Sequence, residues 1–292
     1  MNESTWQKRF LQRYGAWAVV TGASDGIGEQ FARELAAAGV NLVLVARRAP
    51  RLEELANDLA SAHQVQARVL AVDLAEARGR DAIMNMTRQL DVGLLVAAAG
   101  FGGSGLLVNA DLQDEIRMIE VNCIAVLDLV RRMGQRLAAR GRGGIVLMSS
   151  LVGFQGTPYA ANYAATKAYV QSLAEGLHVE MRPLGVDVLA SAPGPVTSGF
   201  AARANMSMGK APDPKTVARA TLRALGHRTT VRPGVLSKLL GYSLSALPRF
   251  GRVQIMKLVM GGMTKHHPRG LAAASARAVM TETDADVASR HH

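Results

Sequence analysis

Short apolar runs alternate along this chain with longer segments of helical periodicity. Six runs are almost continuously apolar, as are strands buried on both faces of a parallel sheet, and they lie at 16–21, 41–46, 67–72, 94–97, 144–148 and 186–191. The segments between these runs are long enough to form crossover helices. The pattern therefore predicts an α/β fold, in which a doubly wound parallel sheet carries helices on both faces.

Two parts of the chain carry stripes of apolar residues at helical spacing. The first stripe predicts one buried helix face, formed by Ile116, Ile119, Cys123, Val126, Val130, Met133 and Leu137. Towards the C-terminus, helical patterns at 216–225 and 235–247 precede Pro248, and the apolar positions then resume at Ile255, Leu258, Val259 and Met263. Because Lys and Arg are interspersed among them, we expect a basic, amphipathic helical extension.

A glycine-rich turn, Thr21-Gly-Ala-Ser-Asp-Gly-Ile-Gly28, follows the first predicted strand and precedes a helical pattern. Glycines let the backbone approach a pyrophosphate closely, and the start of a helix presents free N–H groups to it. The spacing Gly-x-x-x-Gly-x-Gly in this context predicts a phosphate cradle in a Rossmann-like sheet. The alternative is an ordinary strand-to-helix turn.

Tyr163 and Lys167 stand four residues apart in a segment of helical pattern, thirteen residues after Ser150. Residues at this spacing share a helix face, so the ammonium is expected beside the phenol. A free tyrosine has a pKa of about 10, and a nearby cation lowers it. The pair therefore predicts a proton-transfer device, with Ser150 hydrogen-bonding an oxygen. The alternative is a plain aromatic–lysine pair on a helix.

The composition suits one large α/β domain, since the 292 residues are 49% hydrophobic. A single cysteine, Cys123, excludes an internal disulfide and fits a reducing compartment. The polar N-terminal residues 1–14 lack the apolar core of a signal peptide. The uncharged stretches at 92–110 and 143–166 are broken by glycine, so we expect no transmembrane helix and a cytoplasmic location.

The net charge of +11 is concentrated near the C-terminus, where the segment from Pro214 to Thr281 holds twelve Lys and Arg and no Asp or Glu. An anionic partner is expected to meet this segment, although a solvated basic surface would have the same composition. The low aromatic content of 4% and the absence of a recognisable recognition helix argue against nucleic-acid binding. His266 and His267 lack partner ligands, so no metal site is expected.

These patterns divide the chain into four parts. We predict an N-terminal helical arm at 1–13 and a dinucleotide-binding catalytic domain at 14–232, in which the family resemblance described below implies a substrate lid near 198–212. A basic amphipathic extension follows at 233–270, and a tail at 271–292 is expected to be disordered. Phe200, Met206 and Met208 in the lid region suit an adaptable apolar pocket for a hydrophobic carbonyl substrate, or the ordinary packing of a small lid.

From about Tyr14 to Phe200 the chain resembles the short-chain dehydrogenase/reductases. The resemblance rests on the 21–28 turn together with Asp73-Leu74, Ala99-Gly100, Asn122, Ser149-Ser150, Tyr163-Ala-Ala-Thr-Lys167 and Pro193-Gly-Pro-Val-Thr197. The segment 14–22 resembles the subgroup of 17β-hydroxysteroid dehydrogenases and very-long-chain 3-oxoacyl-CoA reductases. One departure is the run 97–100, Ala-Ala-Ala-Gly, where the family often carries Asn-Asn-Ala-Gly and amides that steady the sheet and the cofactor pocket.

The resemblance implies a role for each of four catalytic residues. Tyr163 would be the general acid in reduction or the base in oxidation, and Lys167 would hold the nicotinamide ribose and lower the tyrosine pKa. Ser150, preferred over Ser149 for its spacing to Tyr163, would orient the carbonyl, while Asn122 would shape the middle of its helix and hold a relay water. The cofactor-binding residues implied are Gly22, Ser24, Asp25, Gly26, Ile27, Gly28, Arg47, Arg48, Asp73, Leu74, Ala99, Gly100, Tyr163, Lys167, Pro193, Gly194, Val196 and Thr197.

The residues after the second predicted strand predict which cofactor is preferred. An acidic residue there usually binds the adenosine ribose of NAD, but this chain has Arg47 and Arg48, with no carboxylate before Glu53. A guanidinium matches the geometry of a phosphate, so we expect NADP(H). The alternative is that both arginines are plain surface charges.

The leading hypothesis is an NADPH-dependent reductase of a hydrophobic ketone, either 3-oxoacyl or steroid-like. The alternatives are an alcohol dehydrogenase working in the oxidative direction and a non-catalytic dinucleotide sensor, which would have no need of the proton-transfer residues. The basic extension could cap the domain, lie on an anionic membrane as a peripheral contact, or receive the phosphates of an acyl thioester. By resemblance, a homodimer or homotetramer is expected through the helices bearing Asn122 and Tyr163.

Overall fold

Seven parallel strands form the centre of the computed structural model, which describes residues 3–197, 199, 203–204, 212–234, 237–238, 241, 244 and 247–264. The strands are β1 (Trp17–Thr21), β2 (Asn41–Ala46), β3 (Ala67–Ala71), β4 (Val92–Ala97), β5 (Gly143–Met148), β6 (Val186–Ser191) and β7 (Thr230–Val231). Their order is β3-β2-β1-β4-β5-β6-β7, so the strand order reverses between β1 and β4. In open α/β sheets, ligands bind beside this reversal, at the carboxyl ends of the strands.

The doubly wound parallel sheet predicted from the sequence is confirmed, and the six apolar runs correspond to β1–β6. The seventh strand, β7, was not predicted. It contains two residues and pairs with Ala190 and Ser191 at the end of β6. A strand of two residues is too short to produce a recognisable apolar run.

Helices cover both faces of the sheet, as predicted. Those whose bounds lie within the described residues are, in chain order, α1 (Glu3–Tyr14), α2 (Gly26–Ala37), α3 (Ala49–His63), α4 (Ala77–Met86), α5 (Leu112–Ile119), α6 (Ala125–Arg140), α7 (Ala161–Met181), α8 (Pro214–Ala224) and α9 (Arg249–Met263). Apolar residues of α2, α3 and α8 form a core with one face of the sheet, and residues of α4, α6 and α7 form a core with the other. The strands β1, β2, β4, β5 and β6 are therefore largely buried on both sides, which explains their apolar character, whereas the edge strand β3 is only partly buried.

Helix α1 packs against the ends of the central strands opposite the carboxyl edge. Its rings form a short stack, with centroids 5.0 Å apart between Trp6 and Phe10 and 4.7 Å apart between Phe10 and Tyr14. Asp187, near the start of β6, accepts hydrogen bonds from the Tyr14 hydroxyl at 2.9 Å and from Arg13 Nη2 at 2.8 Å. These contacts hold the N-terminal helix on the fold, away from the carboxyl ends of the strands.

The apolar stripe predicted for 116–137 is partly wrong. Cys123 and the members of the predicted stripe that follow it are buried, but Ile116 and Ile119 are 40% and 41% exposed, and Met118 is buried instead. A turn of π-helix at Glu120–Ile124 separates α5 from α6. The wider turn inserts one extra residue and rotates the buried face, so a single 3.6-residue period cannot describe both sides of it.

The C-terminal extension is described in part. Helix α9 confirms a helix after Pro248, but its buried residues are Met256 and Met260, whereas Leu258 and Val259 are exposed. The lid residues Phe200, Met206 and Met208, most of 235–247, and the tail lie outside the described residues. None of the helices that the structure describes is long and apolar enough to cross a membrane.

Candidate active site

A cavity of about 460 Å³ lies at the carboxyl edge of the sheet. Its wall is built from the segments that directly follow β1, β2, β3, β4, β5 and β6, together with the start of α7 and the inner face of α9. The predicted cofactor and catalytic residues that line it are Gly22, Ser24, Asp25, Gly26, Ile27, Gly28, Arg47, Arg48, Asp73, Leu74, Ala99, Gly100, Ser150, Tyr163, Lys167, Pro193, Gly194 and Val196.

The glycine-rich turn forms one end of the cavity. Two of its glycines lie so close to other backbone atoms that a side chain would not fit. Gly22 has a φ of +70°, and a Cβ atom there would lie 2.8 Å from the Cα of Ala99. At Gly28 a Cβ atom would lie 2.2 Å from the carbonyl oxygen of Gly22. Asp25 precedes α2 without capping it through its side chain. The N–H groups of the first turn of α2 therefore remain available to a phosphate.

The two arginines after β2 differ in their contacts. Arg48 donates from Nη2 to the carbonyl oxygen of Ser24 at 2.9 Å and lies 3.6 Å from Asp25 Oδ2. Arg47 is exposed, lines the cavity, and forms no hydrogen bond or ion pair with the described part of the chain. Arg48 thus braces the glycine-rich turn, and Arg47 is the guanidinium that is available to a ligand.

The turn after β3 is held by arginines from two helices. The Asp73 carboxylate accepts from the backbone N–H of Ala75 at 3.0 Å and forms an ion pair with Arg117 of α5. Arg80 donates from Nη1 to the carbonyl oxygen of Leu74 at 2.8 Å and from Nε to Asp128 at 2.8 Å. These hydrogen bonds and ion pairs therefore hold Asp73 and Leu74 in place at the cavity wall.

Thr21 supplies a side-chain hydrogen bond to the alanine run at 97–100, which has no amide side chains of its own. The hydroxyl of Thr21 accepts from the backbone N–H of Ala99 at 3.0 Å and donates to the carbonyl oxygen of Val96 at 3.5 Å. The end of β1 is thereby bonded to the segment after β4. This bond ties the alanine run to the sheet without the amide side chains that are frequent in the family.

The two serines after β5 point in different directions. Ser149 is buried and donates from its hydroxyl to the carbonyl oxygen of Lys167 at 3.1 Å. Ser150 is partly exposed, lines the cavity, and forms a side-chain hydrogen bond with Tyr163 that lowers the pKa of the phenol. The geometry favours Ser150 over Ser149 as the serine that acts with Tyr163.

Tyr163 and Lys167 lie together on α7, with the Lys167 Nζ atom 5.7 Å from the centre of the tyrosine ring. The ammonium donates to the carbonyl oxygen of Met148 at 2.8 Å. Burial lowers the pKa of Lys167 to about 8 and raises the pKa of Tyr163 to about 12. The expected lowering of the tyrosine pKa by Lys167 is therefore wrong for the chain by itself, because burial of the phenol outweighs the hydrogen bond from Ser150.

Asn122 lies in the π-helical turn behind the cavity and is 1% exposed. Its amide donates to the carbonyl oxygen of Phe101 at 2.9 Å and to Thr166 Oγ1 at 3.0 Å, and its oxygen accepts from the backbone N–H of Phe101 at 3.2 Å. The side chain does not line the cavity. Its contacts join the segment after β4 to Thr166 of α7, the residue directly before Lys167, and this position fits the predicted role of shaping the helix.

Thr197 is the other predicted residue that does not line the cavity. It is exposed, and its backbone N–H donates to the carbonyl oxygen of Pro212 at 3.2 Å.

Part of the cavity wall was not identified from the sequence. Beside Tyr163 the cavity is lined by apolar residues that the motifs did not identify, namely Val152, Ala160, Leu244, Ile255, Met256, Val259, Met260 and Met263. Arg203, in the predicted lid, lines it as well.

The apolar wall has a definite origin in the fold. Ala160, Leu244, Met256 and Met260 form a small buried cluster against which Tyr163 packs. Met256 and Met260 belong to α9, whose amphipathic pattern was visible in the sequence but gave no indication of what its apolar face would cover. In the described part of the chain, no group of three or more His, Cys, Asp and Glu is placed to hold a metal ion.

Comparisons with known proteins place these features in a wider group. The family model for short chain dehydrogenase matches residues 16–208. A very-long-chain 3-oxoacyl-CoA reductase of Phaeosphaeria nodorum is 34% identical over 219 residues, which are 73% of this chain and 64% of that protein. The chain thus spans slightly less than two thirds of that relative.

Solved structures give the same result for the fold. A 7beta-hydroxysteroid dehydrogenase structure superposes with a TM-score of 0.79 at 25% identity, covering 85% of this chain and 98% of the other. A short-chain dehydrogenase from Sphingobium yanoikuyae in complex with NADPH superposes with a TM-score of 0.71 at 29% identity, covering 79% of this chain and 93% of the other.

Proposed function

The chain belongs to the short-chain dehydrogenase family, and from that premise we propose that it is an NADP(H)-dependent oxidoreductase that reduces the ketone of a hydrophobic substrate to a secondary alcohol. One observation carries the substrate class. Tyr163 packs against an apolar cluster that includes Met256 and Met260, while the rest of the same cavity is lined by the dinucleotide-binding residues. Flexible methionines suit a bulky apolar group. The 3-oxoacyl-CoA reductase and 7beta-hydroxysteroid dehydrogenase relatives, by their names, act on large lipid-like molecules.

The protonation states support reduction. With a pKa of about 12, Tyr163 carries its proton at neutral pH and can donate it to a developing alkoxide. Ser150, hydrogen-bonded to that phenol, would orient the carbonyl oxygen. Lys167, with a pKa of about 8, is mostly protonated at pH 7, and its ammonium would hold the nicotinamide ribose of the cofactor. A bound nicotinamide would supply the hydride.

The residues present also fit the cofactor. The glycine-rich turn leaves room for a pyrophosphate, and Arg47 is an available guanidinium beside it. A guanidinium pairs well with the 2′-phosphate that distinguishes NADP from NAD. Direct titration of the protein with NADPH and NADH tests this preference, and tighter binding of NADH would contradict it.

A screen of ketones and 3-oxoacyl thioesters, followed by NADPH absorbance, tests the reaction. Tyr163→Phe is the control, since it removes the proton donor and leaves the apolar cluster in place. Turnover of a bulky ketone by the wild type and its loss in the variant would support the proposal. If the variant retained the wild-type rate, the proposed proton donor would be wrong.

We further propose that the chain forms a homo-oligomer through α5, α6 and α7. Large apolar side chains are exposed along these helices at Leu112, Ile116, Ile119, Ile124, Leu127 and Tyr169. Exposed large apolar side chains concentrated on neighbouring helices are typical of protein–protein interfaces. Sedimentation of the wild type and of Leu112→Glu tests the proposal, because a charge on this surface should reduce the mass to that of the monomer. A monomeric wild type would contradict it.

A further inference from the structure

Helix α9 has two faces with different surroundings. On the inner face, Met256 and Met260 are 7% and 3% exposed and line the cavity. On the outer face, Phe250 and Leu258 are 75% and 76% exposed. These two residues are eight positions apart, which is about 12 Å along a helix and about 80° around it, so both can lie on the outer side of α9. They form an apolar ridge that the described part of the chain leaves uncovered.

Cations flank this ridge. Lys257 is seven positions after Phe250 and therefore shares its side of the helix, Arg249 precedes Phe250 at the start of the helix, and both cations are exposed. The sequence from Pro214 to Thr281 contains no Asp or Glu, so no acidic side chain of this segment offsets their charge. The described ion pairs of the chain include neither Arg249 nor Lys257. A partner of this surface must therefore accept apolar side chains and provide negative charge at the same place.

We propose that the outer face of α9 docks the protein on the surface of an anionic lipid bilayer. A helix that lies in the interface inserts apolar side chains between the headgroups while its Lys and Arg contact the lipid phosphates. The ridge is convex and formed by one helix, so it offers no groove that would select a complementary protein surface. A bilayer accepts such a ridge without a matching shape.

The docking face is continuous with the wall of the cavity. Val259 lines the cavity and is also 42% exposed, so it lies at the boundary between the inner and outer faces of α9. Docking through Phe250 and Leu258 places this boundary next to the lipid, where an apolar substrate is concentrated. The inference goes beyond the proposed reaction and does not depend on it, because vesicle binding can be measured without any substrate.

The test is cosedimentation of the full chain with vesicles of phosphatidylglycerol and with vesicles of phosphatidylcholine, at low salt. We expect binding to phosphatidylglycerol and a loss of about five-fold or more with phosphatidylcholine or with high salt. Leu258→Ser and Lys257→Gln should each weaken binding several-fold. The matched controls Val179→Ser on α7, where the side chain is 71% exposed, and Arg131→Gln on α6 should leave it unchanged.

A second measurement places the helix relative to the lipid. The emission of Phe250→Trp should be quenched by bromine-labelled acyl chains, whereas that of Val179→Trp should not. Equal vesicle binding by Leu258→Ser and Val179→Ser, or no binding by the wild type, would overturn the proposal. It would also be overturned if Leu258→Ser left vesicle binding intact and instead lowered the mass in sedimentation, because a second copy of this chain would then cover the face.

Discussion

Arg117 of α5 forms an ion pair with Asp73 in the turn after β3, so a helix on one face of the sheet holds a carboxylate that lines the cavity. The same turn is braced by Arg80, which bonds to its carbonyl oxygens and to Asp128 of α6. Arg117 and Asp128 lie on either side of the π-helical turn that contains Asn122. The helical segment that contains Asn122 is thus bonded at two points to the turn that carries Asp73 and Leu74.

Replacing Arg117 with Met should weaken the binding of NADPH by about ten-fold, because a hydrogen bond to a charged group contributes about 1.5–3 kcal/mol and Asp73 would lose its orientation. If Asp73 accepts a hydrogen bond from the adenine amino group, the wild type should also bind NADPH more tightly than its hypoxanthine analogue. That preference should decrease in Arg117→Met and be partly restored in Arg117→Lys. Fluorescence titration measures each affinity, and Arg131→Met serves as a control on α6. An unchanged preference in Arg117→Met would show that the ion pair does not position Asp73.

Tyr163→Phe should reduce turnover by about 10²–10⁴-fold, which is the usual contribution of a positioned general acid. Binding of NADPH should change little, because the ring and its contacts with the apolar cluster remain. Single-turnover kinetics and a binding titration on the same preparation separate the two effects. Equal losses in both measurements would indicate a structural role instead.

The two arginines after β2 should respond differently to substitution. Arg47→Ala should weaken NADPH binding by about ten-fold and leave NADH binding nearly unchanged, because its guanidinium is available to a 2′-phosphate. Arg48→Ala should weaken the binding of both cofactors, since Arg48 bonds to Ser24 and lies beside Asp25 in the glycine-rich turn. Arg51→Ala, on the first turns of α3, is the matched control. Loss of NADH and NADPH binding in equal proportion in Arg47→Ala would contradict the assignment.

Lys167 should make the stability of the cofactor-free protein depend on pH. Its pKa is lowered by burial from 10.5 to about 8. Between these two values the unfolded chain binds more protons than the folded one, so the contribution of Lys167 to stability rises with pH and its burial penalty is fully present below pH 8. Lys167→Met should therefore be more stable at pH 7, by an amount on the order of 3 kcal/mol less the lost hydrogen bond to Met148.

Chemical denaturation at pH 7 and at pH 9.5, without cofactor, measures this effect as a difference from the wild type. The gain in stability should be smaller at the higher pH. Lys8→Met, which changes an exposed lysine on α1, should show no such pH dependence. An equal gain in stability at both pH values would mean that the charge of the buried Lys167 does not destabilise the folded protein.

The sheet was predictable because most of its strands are buried on both faces, which leaves a nearly continuous apolar run in the sequence. The edge strand β3 is less buried, and its run contains Arg68. It was harder to predict which residues of each helix would be buried. Ile116 and Ile119 were expected to be buried, but the π-helical turn at Glu120–Ile124 shifts the register, and nothing in the apolar periodicity marks such a turn. Asn122 stands within that turn, so the irregularity coincides with a residue that the motif resemblance did identify.

The candidate site divides in the same way. The turns after the strands carry short motifs, and their positions at the carboxyl edge follow from the sheet topology. The apolar wall depends on the position of α9, which lies far along the sequence from the motifs after the strands. Tertiary packing determines that position. For the same reason the pattern of residues could not show that Met256 and Met260 turn inward while Leu258 turns outward. The pKa of Tyr163 was also misjudged, because the extent of burial outweighs the spacing to Lys167.

The family match ends at residue 208, and α9 begins at Arg249. The part of the wall that contacts the proposed substrate is therefore encoded separately from the proton-transfer residues. Grafting the 249–263 helix of a relative onto this chain could exchange one ketone preference for another without altering the chemistry at Tyr163, so that new specificities arise by variation in a segment that the reaction itself does not constrain.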